Sequence, residues 1–144
     1  MKRDRFLQTN KMFEYYGWIA LIYSICEVED EDEKLEIAVD YAKNLIKKTL
    51  PEHHINELRA INGQYMVSLA GVSNHRGFLE EALISFFREI GKKAPGSYGL
   101  LYISDDENPE FENEFRVGRL VRGQFEFVKD SHLSPRIPTI EDSC

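Results

Sequence analysis

Apolar residues along this chain fall into three kinds of pattern, and each predicts a different element. From Phe13 to Cys26 the stretch FEYYGWIALIYSIC is apolar at nearly every position. It is rich in aromatic and β-branched side chains and too short to span a bilayer, so it predicts a strand buried on both faces, near the middle of a sheet. Tyr16, Trp18, Ala20 and Ile22 would share one face, and Tyr15, Ile19, Leu21 and Tyr23 the other. Gly17 marks a bulge or a close approach, and the aromatics around Trp18 read as core.

The second pattern has helical spacing. In DEDEKLEIAVDYAKNLIKKTLPE, Leu35, Ala38, Val39, Ala42, Leu45 and Ile46 recur every three or four residues and form one buried stripe. Acids crowd its start and Lys43, Lys47 and Lys48 its end, as the helix dipole favours, and Pro51 stops it. A second stripe of Phe78, Leu79, Ala82, Leu83, Phe86, Phe87 and Ile90 predicts another helix, capped by Asn74 and closed by Gly91.

The third pattern is short strands divided by turn dipeptides. INELRAING and QYMVSLAGVSN meet at Asn62-Gly63, and FENEFRVGRLV and QFEFVKD meet at Arg122-Gly123. SYGLLYIS is a further strand, apolar enough to lie inside the sheet. The order is β-α-β-β-α-β, a β-hairpin, and an extended, proline-containing end. The expected architecture is α+β: a largely antiparallel sheet with two helices packed on one face, of ferredoxin-like flavour.

A chain of 144 residues is expected to be a single domain over 1–144, with residues 1–12 loosely attached and 131–144 forming an extended tail. In that tail, HLSPRIPTIEDSC, the prolines forbid an ordinary helix, yet Leu133, Ile137 and Ile140 are apolar. The strip is expected to cover a sheet edge or helix groove, so deleting Leu133 to Cys144 should lower stability; the alternative is that it touches a partner.

Charge alters the functional picture more than the fold. The formal net charge is −7, and Glu27–Glu36 with Asp105–Glu114 hold 13 of the 25 acidic residues. Phosphate neutralisation needs a basic face, so direct nucleic-acid binding is disfavoured and a basic partner is the natural complement. No secretory signal or membrane span is visible, and Cys26 and Cys144 read as reduced thiols, so a cytoplasmic location is expected.

Candidate chemistry is sparse. His53 and His54 are adjacent on one backbone and lack the spaced partners of a zinc site. Cys26 precedes an acid cluster, which disfavours its thiolate. DDENPEFENE has no turn glycine of a cation loop, and glycine-rich phosphate loops and nucleophile elbows are absent. The expectation is a non-enzymatic binding protein with no cofactor and no metal.

Four segments together carry a resemblance: FEYYGWI, VSLAGVSNHRG running into a helix, GSYGLLYISDDE, and HLSPRIPTIED. The chain resembles the immunity protein 7 family from about Phe13 to Asp142. That resemblance implies a bacterial antitoxin of polymorphic-toxin or contact-dependent growth inhibition systems, binding and neutralising the C-terminal domain of a cognate toxin. Many such toxins are nucleases, which tend to be basic. Glu29, Asp30, Glu31, Asp105, Asp106 and Glu107 are the expected partner-binding residues. A non-catalytic acidic adaptor unrelated to toxins is the rival reading; an enzyme built around Cys26, His75 or the Asp105 cluster is a second.

Overall fold

The structure is a computed structural model that describes residues 12–133. The first eleven residues and the strip carrying Ile137 and Ile140 lie outside the described residues. Eight elements follow in order: β1 (Phe13–Leu21), α1 (Glu31–Thr49), β2 (Ile55–Ile61), β3 (Gln64–Ser73), α2 (Leu79–Lys93), β4 (Tyr98–Asp105), β5 (Arg116–Val121) and β6 (Gln124–Lys129). The strands form one sheet in the order β2-β3-β1-β4-β5-β6, with every neighbouring pair antiparallel. The first four strands thus take the split βαβ arrangement, and the β5–β6 hairpin extends it beyond β4. This is the expected α+β architecture.

Local chemistry explains the joints. Asn62 and Gly63 have φ of 52° and 82°, and Arg122 and Gly123 have 52° and 75°. Two successive left-handed residues make the tight turn whose twist matches the flanking strands. At the end of α1, Leu50 is already extended (φ −108°, ψ 148°), as a residue before proline prefers.

Strand alternation puts the core on one side. Phe13, Tyr15, Ile19 and Leu21 of β1 point with Val67, Leu69, Leu101, Ile103 and Leu120 toward the helices. There they meet Ala38, Val39 and Ala42 of α1 and Leu83, Phe86, Phe87 and Ile90 of α2. β1 and β4 lie side by side at the centre, where their apolar runs placed them.

Several local expectations are corrected. Trp18 is 37% exposed rather than core, because the helices cover a single face and its parity places it on the open one. Phe78 is 86% exposed; the chain turns at Gly77 and the helix begins at Leu79, so Phe78 precedes the stripe. It also occupies the N-cap position expected of Asn74. Gly91 lies inside α2, which runs on to Lys93, and its bare Cα lets the helix approach the Gly123 backbone. Gly17 makes a close approach, to the Leu100 carbonyl, within unbroken register.

One polar cluster sits at the edge of the core. The Tyr15 hydroxyl donates to Asn56 Oδ1 at 2.9 Å and lies 3.0 Å from His54 Nδ1. Asn56 Nδ2 donates in turn to the Pro51 carbonyl at 3.0 Å. Burial, then the neighbouring His53, pushes the His54 pKa below its ordinary value of 6.5. The fold therefore favours neutral imidazole, and the unfolded chain takes up the proton first as pH falls. Stability from this site is fully present above pH 6.5 and declines below it. Between pH 7 and 5 the wild type should lose more stability than His54→Gln in urea titrations, as matched losses would contradict.

Candidate partner-binding surface

The sheet has two ends, and the antiparallel pairing of β1 with β4 decides what lies at each. Ala20 pairs with Tyr98 at one end and Phe13 with Asp105 at the other. The chain leaving β1 therefore emerges at the Tyr98 end, and the chain leaving β4 at the Asp105 end. Glu29, Asp30 and Glu31 fall at the first, and Asp105, Asp106 and Glu107 at the second. The nine residues of β1 separate them by about 26 Å at the usual rise per residue. Each triplet is brought together; the two triplets are not.

Three of the six acids at the Asp105 end, Asp105, Glu107 and Glu114, are engaged within the chain. Asp105 is only 1% exposed; Arg76 Nη1 donates to its Oδ2 at 3.3 Å and the Glu107 N–H to its Oδ1 at 3.0 Å. Glu107 lies 3.6 Å from His75 Nδ1 and accepts the Arg76 N–H at 3.4 Å. The half-buried Asp106 donates its N–H to the Met12 carbonyl at 3.1 Å. Lys129 reaches Glu114 at 3.5 Å. Arg116 clasps Glu80 at 2.9 Å, its guanidinium 5.0 Å from the Phe111 ring and 4.3 Å from the Phe127 ring.

The Tyr98 end differs. Among the described residues, no ion pair involves Glu27, Glu29, Asp30, Glu31, Asp32 or Glu33. Glu31, Asp32 and Glu33 occupy the first turn of α1, where the helix dipole favours them. Glu27 and Glu29 precede the helix and are exposed. The nearby Lys34 lies 5.5 Å over the Tyr23 ring.

Beside these acids a cavity of about 480 Å³ opens between Ser24, Ile25, Pro95, Gly96, Tyr98, Val121 and Arg122. Its walls come from the β1–α1 and α2–β4 connections, the start of β4 and the β5–β6 turn, and hydrogen bonds pin the two connections to each other. The Ser97 hydroxyl accepts the Ile22 N–H at 3.1 Å and donates to the Ile22 carbonyl at 3.3 Å, and the Gly96 N–H donates to the Tyr23 carbonyl at 3.0 Å. Ile25 stands at the rim, 76% exposed.

From the cavity an aromatic row runs along the open face of the sheet. The Tyr98 ring meets Trp18 edge-on at 5.8 Å. Farther along, Phe115 packs edge-on against Tyr16 at 6.3 Å and Tyr102 at 5.9 Å. The Tyr16 hydroxyl donates to Glu14 Oε2 at 2.6 Å, and burial together with this carboxylate pushes its pKa up to about 12. It therefore stays a neutral donor at working pH. These aromatics lie on two strands and a loop, so only the parity of β1 hints at them in sequence.

Among the described residues, no group of three or more His, Cys, Asp or Glu side chains is placed to hold a metal ion. No helix there is long and apolar enough to cross a membrane. Fold and surface together define an acidic α+β module with an aromatic, recessed face suited to binding another macromolecule. The profile of the family described as Immunity protein 7 matches residues 12–142. The chain belongs to that family, and is thereby an immunity protein for a toxin. No curated protein and no solved structure matches it.

Proposed function

We propose that this chain neutralises its cognate toxin by binding the toxin's C-terminal domain, that this domain is a basic nuclease, and that the pairing operates in bacterial contact-dependent competition. The family match over residues 12–142 carries the reading. The net charge of −7 supports the basic-nuclease part, because an acidic surface attracts a protein built to hold phosphates and can occupy its groove. In this reading the chain acts in the cytoplasm of the producing cell and needs no cofactor. Glu29, Asp30, Glu31, Asp106 and Glu107 would on this reading meet the partner directly, and the buried Asp105 would act through the loop it holds.

The test pairs this protein with the C-terminal domain encoded immediately upstream. Co-expression should restore growth, and the purified pair should bind with nanomolar affinity by calorimetry. The association rate should fall at least about tenfold as salt is raised from low to several hundred millimolar. A rate flat with salt would remove the basic-partner part while leaving rescue intact. Neither rescue nor binding would favour an acidic adaptor unrelated to toxins.

A further inference from the structure

We infer that the docking centre for the toxin is the cavity at the Tyr98 end of the sheet, which takes an apolar side chain from a basic surface of the partner while Glu27–Glu33 meet the cations around it. The inference rests on the reading just proposed and adds the site, the anchor and the order of importance of the two acidic segments.

Charge accounting separates the two ends. At the Asp105 end, Asp105 and Glu114 already face Arg76 and Lys129 and Glu107 lies against His75, which leaves Asp106, Glu110 and Glu112 without an ion pair among the described residues, half as many open acids as at the other end. At the Tyr98 end the acids of residues 27–33 have no such pair among the described residues. Their mutual repulsion is relieved when a cation arrives, so the same contact that attracts a basic protein also stabilises this chain. Arg122 is the single cation lining the cavity, and the neighbouring segment outweighs it.

Both ends hold an apolar recess, but the one at the Asp105 end, about 250 Å³ between Phe111, Phe115, Phe127 and Val128, is smaller and carries Arg116 and Lys129 in its wall, which a basic partner would meet as like charge. Ile25, Tyr98, Val121 and Pro95 present carbon to solvent around a recess, with Trp18 packed edge-on against Tyr98. The Ser97–Ile22 and Gly96–Tyr23 hydrogen bonds hold the walls before any partner arrives, which lowers the ordering cost of binding. A recess lined by aromatic and aliphatic groups and flanked by charge is where binding energy concentrates in protein interfaces.

The occupant follows from the same charges. A second copy of this chain docking symmetrically here would bring residues 27–33 of one molecule toward the same acids of the other, with Arg122 alone to offset them. Nucleic acid would meet the same repulsion. A basic protein surface bearing an exposed Leu, Met or aromatic side chain satisfies both halves of the site.

Ile25→Asp provides the sharpest test, because it removes apolar contact while adding an acid that charge attraction alone would welcome. With the purified upstream-encoded C-terminal domain as probe, Ile25→Asp and Tyr98→Ala should each weaken binding at least about thirtyfold. Phe78→Ser, an equally exposed apolar site at the opposite end, should leave the Kd unchanged. Thermal melts by circular dichroism establish that each variant is folded; Ile25 lies on an exposed loop outside the core, so its variant isolates the contact. Hydrogen exchange of the complex should show new protection at residues 22–30 and 95–99. Wild-type binding that persists within threefold in both variants, or protection confined to residues 105–115, would overturn the site and leave the immunity reading standing. A wild type that neither binds nor protects would overturn both.

Discussion

Gly99→Ala should lower the unfolding free energy by about 3 kcal/mol or more, at or above the upper end for overpacked sites. For a chain of this size that is a fall in Tm of roughly 6–12 °C. Gly99 pairs with Ile19 where β4 lies against β1, the centre of the sheet. A Cβ there would overlap the Trp18 carbonyl oxygen and sit 2.9 Å from the Ile19 Cα. Both obstacles are backbone, so no rotamer change relieves them, and β1 and β4 must part. Alanine at Gly63 has open space around it and strains only the turn, so it should cost less. Denaturant titrations of the two variants measure the difference, and a Gly99→Ala midpoint equal to wild type would contradict the packing described.

Phe87→Ala should cost about 3–5 kcal/mol, the range for truncating a buried aromatic. Phe87 is fully buried, with Phe86 6.2 Å away and Phe125 of β6 5.3 Å away between ring centroids. Phe125 stacks onward to Phe127 at 5.3 Å, and Arg88 lies 6.0 Å over its ring. The row fastens the edge strand β6 to α2, since β6 pairs with β5 alone. Beyond the global loss, the amides of Gln124–Lys129 should exchange faster relative to those of β1. A uniform change across the sheet would show that Phe87 does not hold this edge in particular. Phe78→Ala, at a solvent-facing site, should stay within about 0.5 kcal/mol of wild type.

The two hairpins, both helical stripes and the central position of β1 and β4 were legible in sequence because each is a local signal. A turn dipeptide needs only its own φ values, and a stripe needs only its own spacing. Apart from the start of α2, where the turn at Gly77 displaced the cap from Asn74 to Phe78, what differed depended on neighbours distant in sequence. Trp18 and Ile19 are both apolar, and nothing in FEYYGWIAL says which parity the helices will cover. Gly91 resembles a helix terminator, yet it serves the approach of a turn that lies more than a helix length further along the chain. The local density that marks the six candidate acids is silent about the separation that antiparallel β1 and β4 impose on the two triplets. The cavity carried no local signal at all: Ile25 lies on a connection and Tyr98 and Val121 at the ends of two strands, which only the closed sheet brings together.

The pairing of β1 also sets when protection can begin. Gly17 stands opposite Leu69 of β3 on one side and Leu101 of β4 on the other, so both partners of the first strand are made long after it. The β2–β3 and β5–β6 hairpins can close on their own within microseconds, whereas β1 can meet β3 only once Ser73 is made and completes its pairing only once β4 has left the ribosome. A partly synthesised chain would carry the acids of residues 27–33 without the recess beside them. The recess therefore exists only once the chain has been made past the β5–β6 turn at Arg122.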